Sequence, residues 1–174
     1  FTERRFCGNP LAVVHEADVL STDQMQAIAR ELSLSETVFV MKPENPAHSA
    51  RIRIFTPARE VPFAGHPTLG TAVLLAELRA PEGNGEHDAI VALEEGIGTV
   101  RVGVRLRPGA APFAEFDAPR LPQQAGMLPP VEHLAAGLGL IPSEVGFENH
   151  KPTCYAAGNA FAFVPVASLE ALNR

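Results

Sequence analysis

Residues 51–78 of this chain read RIRIFTPAREVPFAGHPTLGTAVLLAEL, and no other stretch limits the fold so tightly. The stretch opens with Ile52, Ile54 and Phe55 set among Arg51, Arg53 and Thr56, the alternation of a strand with one buried face. Pro57, Pro62, Gly65 and Pro67 then break that strand into a turn. From Thr68 to Leu78 the only charge is Glu77. Pro67 suits a first helical position, because its missing N–H has no intrahelical partner to lose. A short helix that is apolar all round has no solvent face and must be enclosed. It also falls well below the roughly 20 residues that a membrane span takes. The pattern predicts a buried helix over residues 68–78 with a wall of strands around it.

Enclosure makes the start of such a helix chemically distinct. Free backbone N–H groups at Gly65, His66 and Thr68 would point outward with the positive end of the helix dipole, an arrangement that binds carboxylates and other anions. Gly65 would let a ligand approach the backbone closely. His66 at the lip can donate, accept or carry a proton near neutral pH. Taken locally, the same residues fit a plain strand-to-helix turn equally well.

At 46% apolar and 20% charged residues, with no polar low-complexity tract, the composition is that of a soluble globular protein. A net charge of −6 without a basic cluster argues against a nucleic-acid partner. Phe1-Thr2-Glu3-Arg4-Arg5 is not followed by the apolar run of a signal peptide, so cytoplasm is the expected compartment, with no membrane partner. Phe1-Thr2 itself reads as the tail of a strand. Cys7 and Cys154 are too few for a disulfide framework or a zinc site. His15, His48, His87, His133 and His150 each lack a second ligand at metal spacing, so no metal is expected.

In chain order, Leu11-Ala12-Val13-Val14 reads as a short strand after the turn at Gly8-Asn9-Pro10. Ser21 and Gln24 form a capping-box signature. Met25, Ile28, Ala29 and Leu32 follow as one core-facing helical stripe. Thr37-Val38-Phe39-Val40-Met41 is the next strand, and Glu36 lies at the seam before it. A carboxylate held against such an apolar strand would lose solvation and move toward the range useful for proton transfer. The local residues also fit a solvated loop glutamate. Residues 81–87 read as a polar surface loop, and Ala89–Leu93 and Thr99–Leu106 as a hairpin turned by Glu94-Glu95-Gly96-Ile97-Gly98. Gly96-Ile97-Gly98 leads into a strand and is therefore no dinucleotide-binding loop. Phe113 to Asp117 is a further strand, residues 118–130 a Pro- and Gln-rich linker, and Val131 to Leu138 a helix closed by Gly139.

One internal echo bears on domain organisation. Gly8-Asn9-Pro10-Leu11-Ala12-Val13-Val14 resembles Gly158-Asn159-Ala160-Phe161-Ala162-Phe163-Val164, and a capping serine follows each, Ser21 and Ser168. The echo predicts a duplicated unit, with residues 1–118 as the first domain and 119–174 as the beginning of a second, incomplete one.

These motifs, in this order, resemble the PhzF-like phenazine-biosynthesis family, relatives of diaminopimelate epimerase. The residues carrying the likeness are Phe1-Thr2, Gly8 to Val14, Leu34-Ser35-Glu36-Thr37-Val38-Phe39-Val40, Phe55-Thr56-Pro57 and Val61 to Gly70. The resemblance implies an α+β fold of two pseudo-symmetric domains, each a β-barrel or rolled sheet around a central helix, with the active site in the cleft between them. It implies Glu36 as general acid/base moving a proton between carbons of a small, anthranilate-type carboxylate, with Ser35, Gly65, His66 and Thr68 holding that substrate. No cofactor is implied, and family members often dimerise, so a homodimer is among the implied states. The family's second-domain aspartate and Gly-Ser segment have no counterpart here. Where the epimerases carry a cysteine, Gly65-His66-Pro67 stands, so a two-cysteine racemase is disfavoured. The leading expectation is thus a cofactor-independent isomerase. The alternative is a non-catalytic small-ligand-binding or interaction protein on the same fold.

Overall fold

The computed structural model describes residues 1–4, 6–80 and 85–174. The chain divides into two compact units, Phe1–Pro119 and Arg120–Arg174.

The first unit runs β1 (Ala12–Val14), α1 (Thr22–Leu32), β2 (Thr37–Met41), β3 (Ala50–Phe55), β4 (Glu60–Val61), α2 (Gly65–Arg79), β5 (His87–Glu95), β6 (Gly98–Leu106) and β7 (Phe113–Phe116). Its strands form one mixed sheet in the order β1-β2-β3-β5-β6-β7, with β4 attached to β3. Among the described residues no ladder joins β7 to β1.

Helix α2 packs against β2, β5, β6 and β7, and this is the main core. Val38, Val40, Ile52, Ile54, Val91, Leu93, Val100 and Val102 face Ala72, Leu75 and Ala76 there. The alternation of each strand decides which of its residues reach that side. On the other face α1 covers the sheet. Met25, Ala29, Phe39 and Phe55 are buried in a second cluster, with the two Phe rings edge to face at 5.4 Å. β2 is therefore covered on both faces, which is why it reads as a continuous apolar run.

The expected elements recur with some differences. The Ser21–Gln24 capping box is formed, at 2.9 and 3.2 Å. Leu32, assigned to the apolar stripe, is 44% exposed at the end of α1. Helix α2 begins at Gly65, three residues before the expected start at Thr68, because Pro67 is still in the first turn, where an N–H has no intrahelical acceptor. The tail of α2 reaches solvent at Leu78, and Phe1 and Thr2 make no strand. Glu94 and Glu95, expected in a turn, extend β5 and pair with Thr99 and Gly98. Residues 81–84 of the expected polar loop lie outside the described residues.

The second unit carries β8 (Gln123–Gln124), α3 (Val131–Leu138), β9 (Thr153–Ala156), β10 (Ala160–Phe163) and α4 (Leu169–Leu172). The expected linker thus contains strand β8, whose pairing with β9 is non-local and invisible in a Pro- and Gln-rich composition. Gly139 closes α3 in the left-handed conformation, and Ser168 caps α4. Among the described residues no helix is long and apolar enough to cross a membrane.

Candidate active site

Strands β1 and β2 are parallel, with Ala12 opposite Thr37. That register brings the residues preceding each strand side by side, so Asn9 comes to lie near Ser35. The Ser35 hydroxyl donates to Asn9 Oδ1 at 3.1 Å. Glu36, one residue before β2, faces the tip of α2. There His66 Nδ1 lies 3.4 Å from Glu36 Oε2 and Nε2 lies 3.0 Å from the Asn9 carbonyl oxygen. The Phe1 ring stacks on the His66 ring at 4.2 Å and fixes its plane. Three residues distant from it in sequence, Phe1, Asn9 and Glu36, therefore converge on one imidazole.

The side chains of Glu36 and His66 are 21% and 22% exposed, neither sealed nor free. Their facing atoms, Glu36 Oε2 and His66 Nδ1, are buried and make no aligned hydrogen bond. A carbonyl can only accept, so the Asn9 contact requires hydrogen on His66 Nε2. In the neutral ring Nδ1 is then a bare acceptor aimed at a carboxylate oxygen. The two are complementary only when a proton sits between them, as the Glu36 acid or the His66 imidazolium.

The opening turn of α2 differs in one respect from expectation. The Thr68 N–H donates to the Ala64 carbonyl at 3.2 Å and its side chain is fully buried, so Thr68 offers no free amide. Pro67 has none either, which leaves the N–H groups of Gly65 and His66 at the helix start without an intrahelical acceptor. A Cβ on Gly65 would stand in ordinary contact with Phe116, at 3.5 Å, so the backbone itself does not demand glycine there.

The sequence reading gave no role to three neighbours of the site. Asn9, part of a turn and of the repeated motif, touches both Ser35 and His66. Phe1 supplies the stack. Glu95 lies with Oε1 2.8 Å from Thr68 Oγ1, and burial pushes its carboxyl up to about 7 against that hydrogen bond. The alternation Ala89, Val91, Leu93 would have found it, since two residues further on the same inner face is position 95.

Elsewhere the histidines and cysteines serve other ends. His48 bonds Glu94 at 2.8 Å and His150 packs on Phe147. Cys7 and Cys154 are both free thiols. Among the described residues no group of three or more His, Cys, Asp or Glu could hold a metal ion.

Residues 1–174 match the phenazine biosynthesis-like protein family, PhzC-PhzF. The chain belongs to this family. An uncharacterized isomerase of Mesorhizobium japonicum is 53% identical over 174 residues, covering 100% of this chain and 56% of that protein. The trans-2,3-dihydro-3-hydroxyanthranilate isomerase of Pseudomonas chlororaphis is 41% identical over 166 residues, covering 95% of this chain and 54% of that enzyme. Among solved structures, a predicted epimerase of Pseudomonas aeruginosa superposes with a TM-score of 0.81 at 34% identity, covering 99% of this chain and 58% of the other. This PhzF-like chain spans about half the length of the curated relatives it matches.

Proposed function

We propose that the protein acts as a PhzF-type isomerase, in which Glu36 moves a proton between two carbons of a small carboxylate-bearing substrate. The observation that carries this reading is the 3.4 Å approach of Glu36 Oε2 to His66 Nδ1 at the start of α2. Glu36 takes a proton from one carbon and returns it to another, so the substrate is rearranged with no net change in oxidation state. His66 stands beside the moving proton and balances the charge of the carboxylate when Glu36 is ionised. The free amides of Gly65 and His66, with the positive end of α2, receive the substrate carboxylate. Ser35, held by Asn9, contributes a hydroxyl on the same side. Thr68 acts from below, by fixing the turn.

The substrate we assign is an anthranilate-like metabolite, after the trans-2,3-dihydro-3-hydroxyanthranilate in the names of the Pseudomonas relatives. That compound is the first to assay with the complete protein. Glu36→Gln keeps the shape of the side chain and removes its acid/base capacity. It is expected to lower kcat/KM by about 10²–10⁴-fold. Turnover at an unchanged rate would show that the proton passes through another group.

A further inference from the structure

The tip of the β5–β6 hairpin is fastened at three points, two on the segment feeding α2 and one on the first turn of α2 itself. The Ile97 N–H donates to the Pro62 carbonyl at 3.1 Å. Gly96 lies so close to Pro62 that a Cβ there would stand 2.9 Å from its Cα. Glu95 Oε1 lies 2.8 Å from Thr68 Oγ1, which in turn lies 2.8 Å from the Ala64 carbonyl oxygen. Ala64 caps the helix whose first two residues are Gly65 and His66. We infer that Glu95 is a positioning residue: a chain from its carboxyl through the Thr68 hydroxyl to the Ala64 carbonyl holds the turn that presents Gly65 and His66. This rests on the reading of that turn as the substrate-binding element.

Counting hydrogens identifies the working form of the chain. The Thr68 hydroxyl has one hydrogen, and the Ala64 carbonyl can only accept it. Both 2.8 Å contacts are hydrogen bonds at once only when Glu95 carries a hydrogen and donates it to Thr68 Oγ1. An ionised Glu95 competes with the Ala64 carbonyl for that single hydrogen, and one of them goes without. The surroundings favour the acid. Glu95 Oε2 is buried without a hydrogen bond. The cations around the groove that Glu95 lines already have carboxylate partners: Arg51 has Glu44, Arg53 has Glu60 and His48 has Glu94. On α2 itself the facing titratable group is His66, whose ring nitrogens are directed to Asn9 and Glu36. Desolvation is therefore unopposed by any ion pair, and it brings the titration of Glu95 to about 7. Near neutral pH the loss of this proton transfers the Thr68 hydrogen from Ala64 to Glu95 and loosens the cap of α2.

Carboxyl carbon and backbone amide NMR spectra of the complete protein, recorded from about pH 5 to 9, test this without requiring turnover. Glu95 is expected to titrate with a midpoint near 7, and the amide signals of Gly65 and Thr68 are expected to move with that midpoint. Glu95→Gln, whose side-chain N–H still donates to Thr68, should hold those two amides at their acid-form positions throughout. Glu95→Ala should displace them at every pH. A Glu95 midpoint in the ordinary carboxylate range overturns the inference, as do Gly65 and Thr68 amides that ignore the Glu95 titration. Full activity of Glu36→Gln would remove the proposed function while leaving this result standing, so the two fail separately.

Discussion

His66 is tied down from three directions, by a backbone carbonyl, a carboxylate and an aromatic ring. The carbonyl contact matters most, because it assigns the hydrogen of the neutral ring to Nε2 and leaves Nδ1 facing Glu36. The stack has a steric requirement of its own. A Cβ at Gly70 would stand 2.4 Å from Phe1 Cζ and 2.8 Å from Leu11 Cδ2, so any larger residue makes one or both of these side-chain ends move. Gly70→Ala is expected to push Phe1 off the His66 ring, and the packing loss, offset by the roughly 0.5–1 kcal/mol by which Ala favours a helix over Gly, should leave a cost of at most about 1 kcal/mol, measured as a lowered urea midpoint. The same substitution in a Leu11→Ala background should cost less, since the space it needs is then free. Equal costs in the two backgrounds would show that Leu11 is not what the new methyl group meets.

At the scale of elements, α1 and α2 are stabilised by opposite means. Helix α1 is amphipathic, buries only Met25 and Ala29 completely, and depends on its capping box for a defined start. Ser21→Ala should therefore cost about 1 kcal/mol in global stability, read from chemical denaturation, with no effect on the site. Helix α2 has no side-chain cap at Ala64. It is fixed instead by the strands around it and, at its start, by Thr68, whose hydroxyl reaches both Ala64 and Glu95. The long hairpin β5–β6 is thus both a wall of the core and the support of the helix tip. Its outer residue Glu94 accepts the N–H groups of Glu44 and Asn45 and holds the loop before β3.

Across the whole molecule, two sets of carboxylates pull stability in opposite directions with pH. Glu95 binds its proton more tightly folded than unfolded, so the stability it contributes is present in full below about pH 4.5. That contribution declines as the pH rises toward 7 and changes no further above it. Glu94 is held below the usual range by the Asn45 and Glu44 N–H groups, and Asp88 by Arg107. Their contribution is present above the unfolded carboxylate range and is lost as the pH falls through their folded values. Thermal melts across pH should therefore show greatest stability on the mildly acidic side, with a falling limb toward neutrality. Glu95→Gln should flatten that limb. A falling limb unchanged in Glu95→Gln would assign it to other groups.

Much of this protein follows from residues within a few positions of each other. The capping box of α1, the enclosed character of α2, the strand period of β2, β3 and β6 and the Gly139 stop are all local, and each is legible in the sequence. The order of the motifs was enough to indicate the family, and with it Glu36 and His66. The meeting of these residues is not local. His66 reaches Asn9 across 57 positions, Ser35 reaches Asn9 across 26 and Thr68 reaches Glu95 across 27. Those contacts depend on the parallel register of β1 on β2 and on the two extra residues by which β5 outruns its expected end. Strand pairing is chosen by competition over the whole sheet, so a glutamate that looked like part of a turn became an inward-facing support of the helix tip. The sequence by itself determined the helices and most strands of the first unit and which of their faces are apolar, while β8 and the end of β5 depended on pairing partners distant in the chain. The tertiary structure decided which side chains meet, because that depends on register and helix placement to within an ångström.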